Sequence, residues 1–380
     1  MLAARPASIV RQKDMSAAWR HVDFVMVAVV AMTSMFGVAM VYSATRTGTD
    51  PWAFAEKHIV FAVIGSVAAS AAGVIDYSKY AQWSRLLYLG GILGLIGVAI
   101  PGIGALHNGI RAWYEVGPIQ IQPAEMAKLT VTVAVASYLG NQTEGVGLRH
   151  TLTVLAMFAL PIGLIMLQPD LGTALVFVVM CAAMLLVSGV PVRYLLVLGL
   201  LGVGAVTTIL TSDTLDEYQK ARLTTFVNPD DKSDAALKAS YNTRQAQAAI
   251  SLGGLTGKGY LKGEFTSGGS VPEQQTDFIF TVPGEELGFA GSALLLTLLG
   301  AIVWRAWRAA VLARDEVGTL ICVGVIAMFM FHVFENAGMA LGIMPVTGIP
   351  LPLVSYGGSS TLTAFIAIGL VLNVHMRRFT

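Results

Sequence analysis

The stretch Val271-Pro-Glu-Gln-Gln-Thr-Asp-Phe-Ile-Phe280 is where a long polar segment of the chain runs into a hydrophobic one. From Thr211 to Thr276 the sequence is polar and glycine-rich, and from Phe278 to Val303 it is apolar over a length that crosses roughly 30 Å of hydrocarbon as a helix. Asp277 stands on the boundary. A carboxylate there is costly to desolvate and well suited to proton transfer, so both the fold and the chemistry are read outward from it.

Runs of similar apolar length occur near 22–43, 58–75, 86–104, 123–140, 150–167, 171–188, 192–210, 278–303, 317–338 and 358–375. They define an all-α integral membrane protein of ten transmembrane helices, with a long extracytoplasmic loop between the seventh and eighth. Composition agrees: the 380 residues are 55% hydrophobic and 12% charged, with mean hydropathy +0.69, well outside soluble usage. Basic residues crowd the loops on the side of both termini (Lys79, Arg85, Arg149, Arg193, Arg305, Arg308, Arg314), against Arg46, Lys57 and Arg111 on the other. That bias puts the termini in the cytoplasm. The division that follows is a cytoplasmic tail over 1–21, helices 1–7 over 22–210, an outer loop over 211–277 and helices 8–10 over 278–380. No basic patch of the kind that binds nucleic acid is present. Cys181 and Cys322 lie in apolar runs and read as buried hydrophobes.

Polar residues within the apolar runs mark where function is expected. Glu125 and Lys128, three residues apart, share a helical face and can pair, either to fix packing or to hold an anionic substrate. Arg111 and Trp113 precede them in an outer loop, where Trp is an interfacial anchor. Asp170, in Gln168-Pro-Asp-Leu-Gly-Thr173, fits a helix cap. Pro283 and Gly284 predict a kinked helix, and the adjacent Glu285 and Glu286 cannot face the same way. Glu335 is expected either to line a cavity among these polar residues or to pair with a cationic neighbour, and His332 reads as a buried hydrogen-bonding residue. The segment Pro345–Ser360 holds three prolines and several glycines, so it is expected to be irregular backbone buried in protein or lining a cavity.

In the outer loop, Tyr241 to Leu252 patterns as an amphipathic helix suited to an interface. Gly253-Gly-Leu-Thr-Gly-Lys-Gly259 has the look of a phosphate loop but fails its pattern, because Leu252 replaces the first Gly and Gly259 replaces Ser or Thr. A flexible turn is the expectation, with backbone amides and Lys258 open to an anion.

Taken in order, Trp113, Gln122-Pro-Ala-Glu125-Met-Ala-Lys128, Gln168-Pro-Asp-Leu-Gly-Thr173, Tyr218-Gln with Arg222, Gly253–Gly259, Thr276-Asp-Phe-Ile-Phe280, Glu285-Glu-Leu-Gly288 and Pro352-Leu-Val-Ser-Tyr-Gly-Gly358 make the chain closely resemble the SEDS family of shape, elongation, division and sporulation proteins, which includes RodA and FtsW. Phe334–Met339 and Pro345–Pro350 resemble the RodA branch. The resemblance implies a peptidoglycan glycosyltransferase of the cytoplasmic membrane that polymerises lipid II, the undecaprenyl-diphosphate-linked disaccharide pentapeptide, on its outer face. It also implies a class B penicillin-binding protein as transpeptidase partner. Asp277 matches the family's essential aspartate, and Glu125 with Lys128 its embedded charge pair. The sequence departs from the family at Gln275, where a His is common, at Ala112, where an Arg is common, and at Ser240, Ala246 and Ser251.

That chemistry needs a base for the acceptor hydroxyl and cations for the diphosphate leaving group. Asp277 is the candidate base. Arg111, Trp113, Glu125, Lys128, Arg222, Lys258 and Ser355 are the candidate substrate contacts, and Asp170, Thr276 and Glu286 the supporting residues. A divalent cation, Mg2+ or Mn2+, is compatible with the same chemistry. Two rival readings are a lipid II flippase and a non-catalytic scaffold for the synthase partner.

Overall fold

A computed structural model describes residues 18–107, 110–117, 119–142, 145–211 and 234–379. Helices cover each of the ten apolar runs. In chain order they are α1 (Phe24–Thr45), α2 (Ala53–Val74), the short α3 (Tyr77–Gln82), α4 (Ser84–Ala99), α5 (Pro123–Gly140), α6 (Leu148–Met166), α7 (Leu171–Val187) and α8 (Val192–Thr211). Then follow α9 (Asp234–Gly253), the single turn α10 (Glu264–Ser267), α11 (Thr281–Glu286), α12 (Gly288–Val311), α13 (Glu316–Leu341) and α14 (Gly358–Met376). Six of these, α1, α2, α6, α12, α13 and α14, are long and apolar enough to cross a membrane, and α4 and α7 are shorter apolar helices.

Local chemistry sets the helix ends. The carboxylates of Asp23, Asp76, Asp170 and Asp315 each accept a backbone N–H of the first turn, at α1, α3, α7 and α13 respectively. Pro123 opens α5, where its missing N–H costs nothing. Gly342 ends α13 in the left-handed conformation, φ 77°.

The two ends of the described chain meet: the rings of His21 and Phe379 pack edge to face, 5.1 Å apart. At this end Arg305 binds Asp23, Tyr77 donates to Asp315 at 2.8 Å, and Arg377 donates to the Gly73 and Val74 carbonyls at 3.0 and 2.6 Å. The opposite end carries Asp277 and the irregular segments.

Three expectations change. The fold is mostly helical rather than all-α, because the loop between α4 and α5 forms an antiparallel meander of β1 (Ala105–His107), β2 (Ile110–Val116) and β3 (Ile119–Ile121). Alternation along β2 explains it: Ala112 is buried and the Tyr114 hydroxyl donates to the Gly94 carbonyl of α4 at 2.7 Å, while Arg111, Trp113 and Glu115 take the other face. The run expected as one span over 278–303 is broken, and its long helix extends from Gly288 to Val311. Gly288, at φ 65°, makes the break. The third change concerns α9, whose buried face of Ala246 and Ala249 packs on α11 and α13 rather than on a lipid interface.

The glycine run after α9 is a packed clasp rather than a flexible turn. The amides of Lys258 and Gly259 donate to the Glu285 and Glu286 carbonyls at 3.0 and 2.9 Å, and the Gly257 amide to Gly253 at 2.8 Å. A Cβ at Gly257, φ 78°, would lie 2.1 Å from the Glu286 carbonyl oxygen. These amides are therefore spent within the protein and are not open to an anion. Gly257→Ala is expected to destabilise the protein by at least about 1–3 kcal/mol through backbone strain, read as a lower unfolding midpoint in detergent. Gly300→Ala, a helical position with open space around it, is expected to change stability by no more than about 1 kcal/mol.

Candidate functional site

The backbone around Asp277 is irregular, so its polar groups need partners that a helix would have supplied. Glu273, at φ 50°, turns the chain so that its carbonyl accepts the amides of Thr276, Asp277 and Phe278 at 3.2, 3.0 and 3.3 Å. The next three carbonyls are held from outside the turn. Gln275 O accepts the Tyr356 amide at 2.9 Å, Thr276 O the Ser355 hydroxyl at 2.5 Å, and Asp277 O the Asn336 side-chain amide at 2.7 Å. Asn336 donates also to Ile349 O at 2.8 Å. Asp277 is thus fixed at its backbone by α13 and by the Pro345–Ser360 segment, with its side chain partly buried.

That segment is irregular and buried, as its prolines and glycines predict. Leu351, Leu353, Val354 and Ser355 are buried, and a Cβ at Gly37 of α1 would lie 2.6 Å from Leu353 O. Gly348, at φ 78°, lies against Asp277: a Cβ there would be 3.2 Å from Oδ2. Beside it, the Thr347 hydroxyl donates to the buried Glu335 Oε1 at 2.8 Å, and Gly172 at the start of α7 packs against Thr347 O.

Below this layer, Lys128 is 1% exposed. Its Nζ donates to Glu125 Oε1 at 2.7 Å and to His332 Nε2 at 3.0 Å. His332 Nδ1 donates to the Met328 carbonyl at 2.7 Å, which leaves Nε2 as the acceptor for the ammonium. The expected i, i+3 pair is therefore a three-residue unit. A cavity of about 10 Å³, room for about one water, touches all three residues together with Pro350, Pro352 and Ser360. The Pro345–Ser360 segment is the wall between this cavity and Asp277.

Asp170 caps α7, accepting the Thr173 amide at 2.9 Å and hydroxyl at 2.8 Å, and it accepts Gln122 Nε2 at 3.2 Å. Burial foremost holds its carboxyl above the ordinary range; the Thr173 hydrogen bonds and the Lys128 charge pull the other way. Glu285 and Glu286 are scaffold residues that diverge as expected. Glu285 accepts the Phe265 and Thr266 amides at 2.8 and 2.9 Å and the Thr266 hydroxyl at 2.7 Å. Glu286 accepts Ser43 of α1 at 2.7 Å and the Leu261 amide at 3.1 Å.

The structure thus joins Asp277, Thr276 and Ser355 directly, and Glu125 with Lys128. Ser355, read as a substrate contact, is buried and saturated, since its hydroxyl also accepts the Leu351 amide at 2.8 Å. It positions the Asp277 turn. Arg111 and Trp113 lie on the meander, which Ser359 ties to α14 through Gln120 O and the Gln122 amide at 3.0 and 2.9 Å. Lys258 presents an exposed side chain, and Arg222 lies outside the described residues. Asp277 sits four residues before α11 rather than at a helix start. Asn336 was not singled out by sequence reasoning; an amide one residue from Glu335 in an apolar span is the signal that marks it. Among the described residues no three His, Cys, Asp or Glu side chains converge as a metal set.

The fold and site define a multi-pass helical membrane protein in which a buried irregular segment holds the backbone of one carboxylate on one side and covers a buried Glu125–Lys128–His332 unit on the other. Residues 22–379 match the family model FTSW_RODA_SPOVE, described as "Cell cycle protein", and the chain belongs to that family. It is 35% identical to stage V sporulation protein E of Bacillus subtilis over 93% of this chain and 96% of the relative. To peptidoglycan glycosyltransferase MrdB of Escherichia coli it is 33% identical, over 94% of each chain. A solved chain from a study of the structural coordination of polymerization and crosslinking by a peptidoglycan synthase complex superposes with TM-score 0.79 at 30% identity, covering 94% of this chain and 99% of that one.

Removing the Ser355 hydroxyl leaves Thr276 O and the Leu351 amide unpaired, at about 1–3 kcal/mol. Ser355→Ala is expected to remain folded and to show faster hydrogen exchange over 273–278 than the parent; equal exchange would mean that Ser355 does not hold the turn.

Proposed function

We propose that Asp277 is the general base of this chain, a peptidoglycan glycosyltransferase, and that its substrate is lipid II. The observation that carries the reading is the clamp on three consecutive carbonyls, which fixes Asp277 while leaving its side chain only partly buried. In the proposed reaction Asp277 takes the proton of an acceptor-sugar hydroxyl. The freed oxygen bonds to the anomeric carbon of the donor sugar, and the bond to the polyprenyl diphosphate breaks, so that the diphosphate leaves with the electron pair.

Each remaining candidate receives a role from its place. Arg111 and Trp113, on the central strand of the meander and on the face away from Ala112 and Tyr114, contact the diphosphate and headgroup, with Lys258 and Arg222 contributing from the loop. Lys128, buried with Glu125 and His332, acts with them as one charge-paired unit beneath the Pro345–Ser360 segment rather than by direct contact. Asp170, Thr276, Ser355 and Glu286 support the frame. A divalent cation, Mg2+ or Mn2+, at the diphosphate is compatible with these roles.

The ten helices are read as ten crossings of the cytoplasmic (inner) membrane. The basic residues gathered where His21 meets Phe379 support cytoplasmic termini. The tail over 1–21 and the loop over 211–277 keep the sides assigned from the sequence. A partner that crosslinks the product, a class B penicillin-binding protein, fits the coupling of polymerization and crosslinking studied for the similar solved chain.

Purified parent protein with lipid II, with and without the cognate partner, is expected to give a ladder of glycan products. Asp277→Asn should stay folded and lose polymerisation by about 10²–10⁴-fold, the range of general-base catalysis. Near-normal polymer from the variant would sink the assignment.

A further inference from the structure

The sequence Trp304-Arg-Ala-Trp-Arg308 lies near the C-terminal end of α12, and Arg377-Arg-Phe379 follows α14. Arg305 and Arg308, three residues apart, share a helical face. Their guanidiniums lie 5.7 and 5.6 Å from the Trp304 ring centroid. Arg305 is answered by Asp23, donating Nε–H to Oδ2 at 2.6 Å. The other oxygen of Asp23 is occupied as the cap of α1, accepting the Met26 amide at 3.0 Å.

Arg308 and Arg378 have no such answer. Arg378 donates to the His375 carbonyl at 2.9 Å and lies over the Phe379 ring, 4.6 Å from its centroid. Among the described residues neither Arg308 nor Arg378 has a carboxylate within ion-pair distance. Partial burial foremost, then Arg308 and Arg305, lower the pKa of Arg378 against the opposing pull of Asp23; it stays protonated. Three guanidiniums around one carboxylate leave two positive charges uncompensated where α1, α12 and α14 meet.

A second observation points to a ligand at the same place. His375 is 6% exposed, and its Nδ1 has no hydrogen-bond partner. The charges that act on it are those of Arg378, Asp23, Arg305 and Arg308. A buried polar atom without a partner costs free energy that an acceptor bound among these groups would recover.

Depth decides what kind of anion reaches this junction. Trp19, Trp304 and Trp307 are 68%, 55% and 55% exposed, the amphipathic rings that settle at headgroup level. Phe24, 73% exposed at the first turn of α1, continues an apolar surface away from the charges. We propose that this junction binds the phosphate of an anionic phospholipid, with Arg308, Arg378 and His375 as its polar contacts and the Phe24 side of α1 along the acyl chain. The site is independent of the polymerisation reading, because its test measures binding alone.

The full-length protein in phosphatidylcholine micelles is titrated with phosphatidylglycerol, and separately with inorganic phosphate, reading lipid retention by native mass spectrometry and the unfolding midpoint. Phosphatidylglycerol is expected to be retained and to raise the midpoint. Arg308→Gln with Arg378→Gln should weaken it roughly thirtyfold, given about a fivefold contribution per arginine near a membrane surface. The paired Lys substitutions should keep most of the binding. Arg193→Gln, an exposed arginine stacked on Tyr194, should leave it unchanged. If the double Gln variant fails to fold, Arg308→Gln alone should show a loss of about fivefold. Undiminished retention by a folded Gln variant, equal stabilisation by phosphatidylcholine, or equal stabilisation by inorganic phosphate would each overturn the proposal.

Discussion

Three hydrogen bonds to consecutive carbonyls, Tyr356 N to Gln275 O, Ser355 Oγ to Thr276 O and Asn336 Nδ2 to Asp277 O, are the interaction on which the rest of the site depends. In water each would contribute only about 0.5–1.5 kcal/mol net. At the edge of a bilayer the alternative is an unpaired carbonyl, so the bonds become obligatory. They join two irregular segments, around Asp277 and around Ser355, into one rigid body. With its backbone fixed on both sides, Asp277 has only its own side-chain torsions left, which is the condition for holding a base against a reacting hydroxyl.

This rigid body needs an anchor, and the two buried carboxylates provide it. Adjacent residues on a short helix project in different directions, so Glu285 binds the 265–266 amides while Glu286 reaches α1 through Ser43. Their backbone carbonyls take the Lys258 and Gly259 amides. Both the side chains and the main chain of this pair are therefore committed to tying the segment that follows α9 to the bundle. The glycine run follows from the same requirement: a Cβ at Gly253 would lie 1.9 Å from Gly284 O, so only glycine lets the two backbones approach. A signature that suggests a phosphate loop is here a rule of close packing.

The helices were legible because membrane helices carry a long, one-dimensional hydrophobic signal. Asp170 as a cap and the pairing of Glu125 with Lys128 were legible because each depends on neighbours in sequence. What escaped depends on distant partners. Ser355 and Asn336 bind carbonyls 79 and 59 residues away, and no local pattern announces such a bond. The meander was hidden by its short strands, and α9 by an amphipathic pattern that fits a protein surface as well as a lipid one. The same holds for His332: its burial was readable, its ammonium partner 204 residues away was not.

The field acting on Asp277 also changes once its place is known. A position at a helix start would have put unpaired amides and the positive end of a dipole in front of the carboxylate, favouring the charged form. Instead α11 begins at Thr281, and the amides of Thr276, Asp277 and Phe278 all turn toward Glu273 O. A helix dipole loses its influence beyond the first turn, so it does not oppose the effect of an incoming anion. In the proposed reaction the negative diphosphate of a bound donor raises the affinity of Asp277 for a proton. The base becomes strongest when the donor is in place, which couples proton removal from the acceptor to occupancy of the donor site.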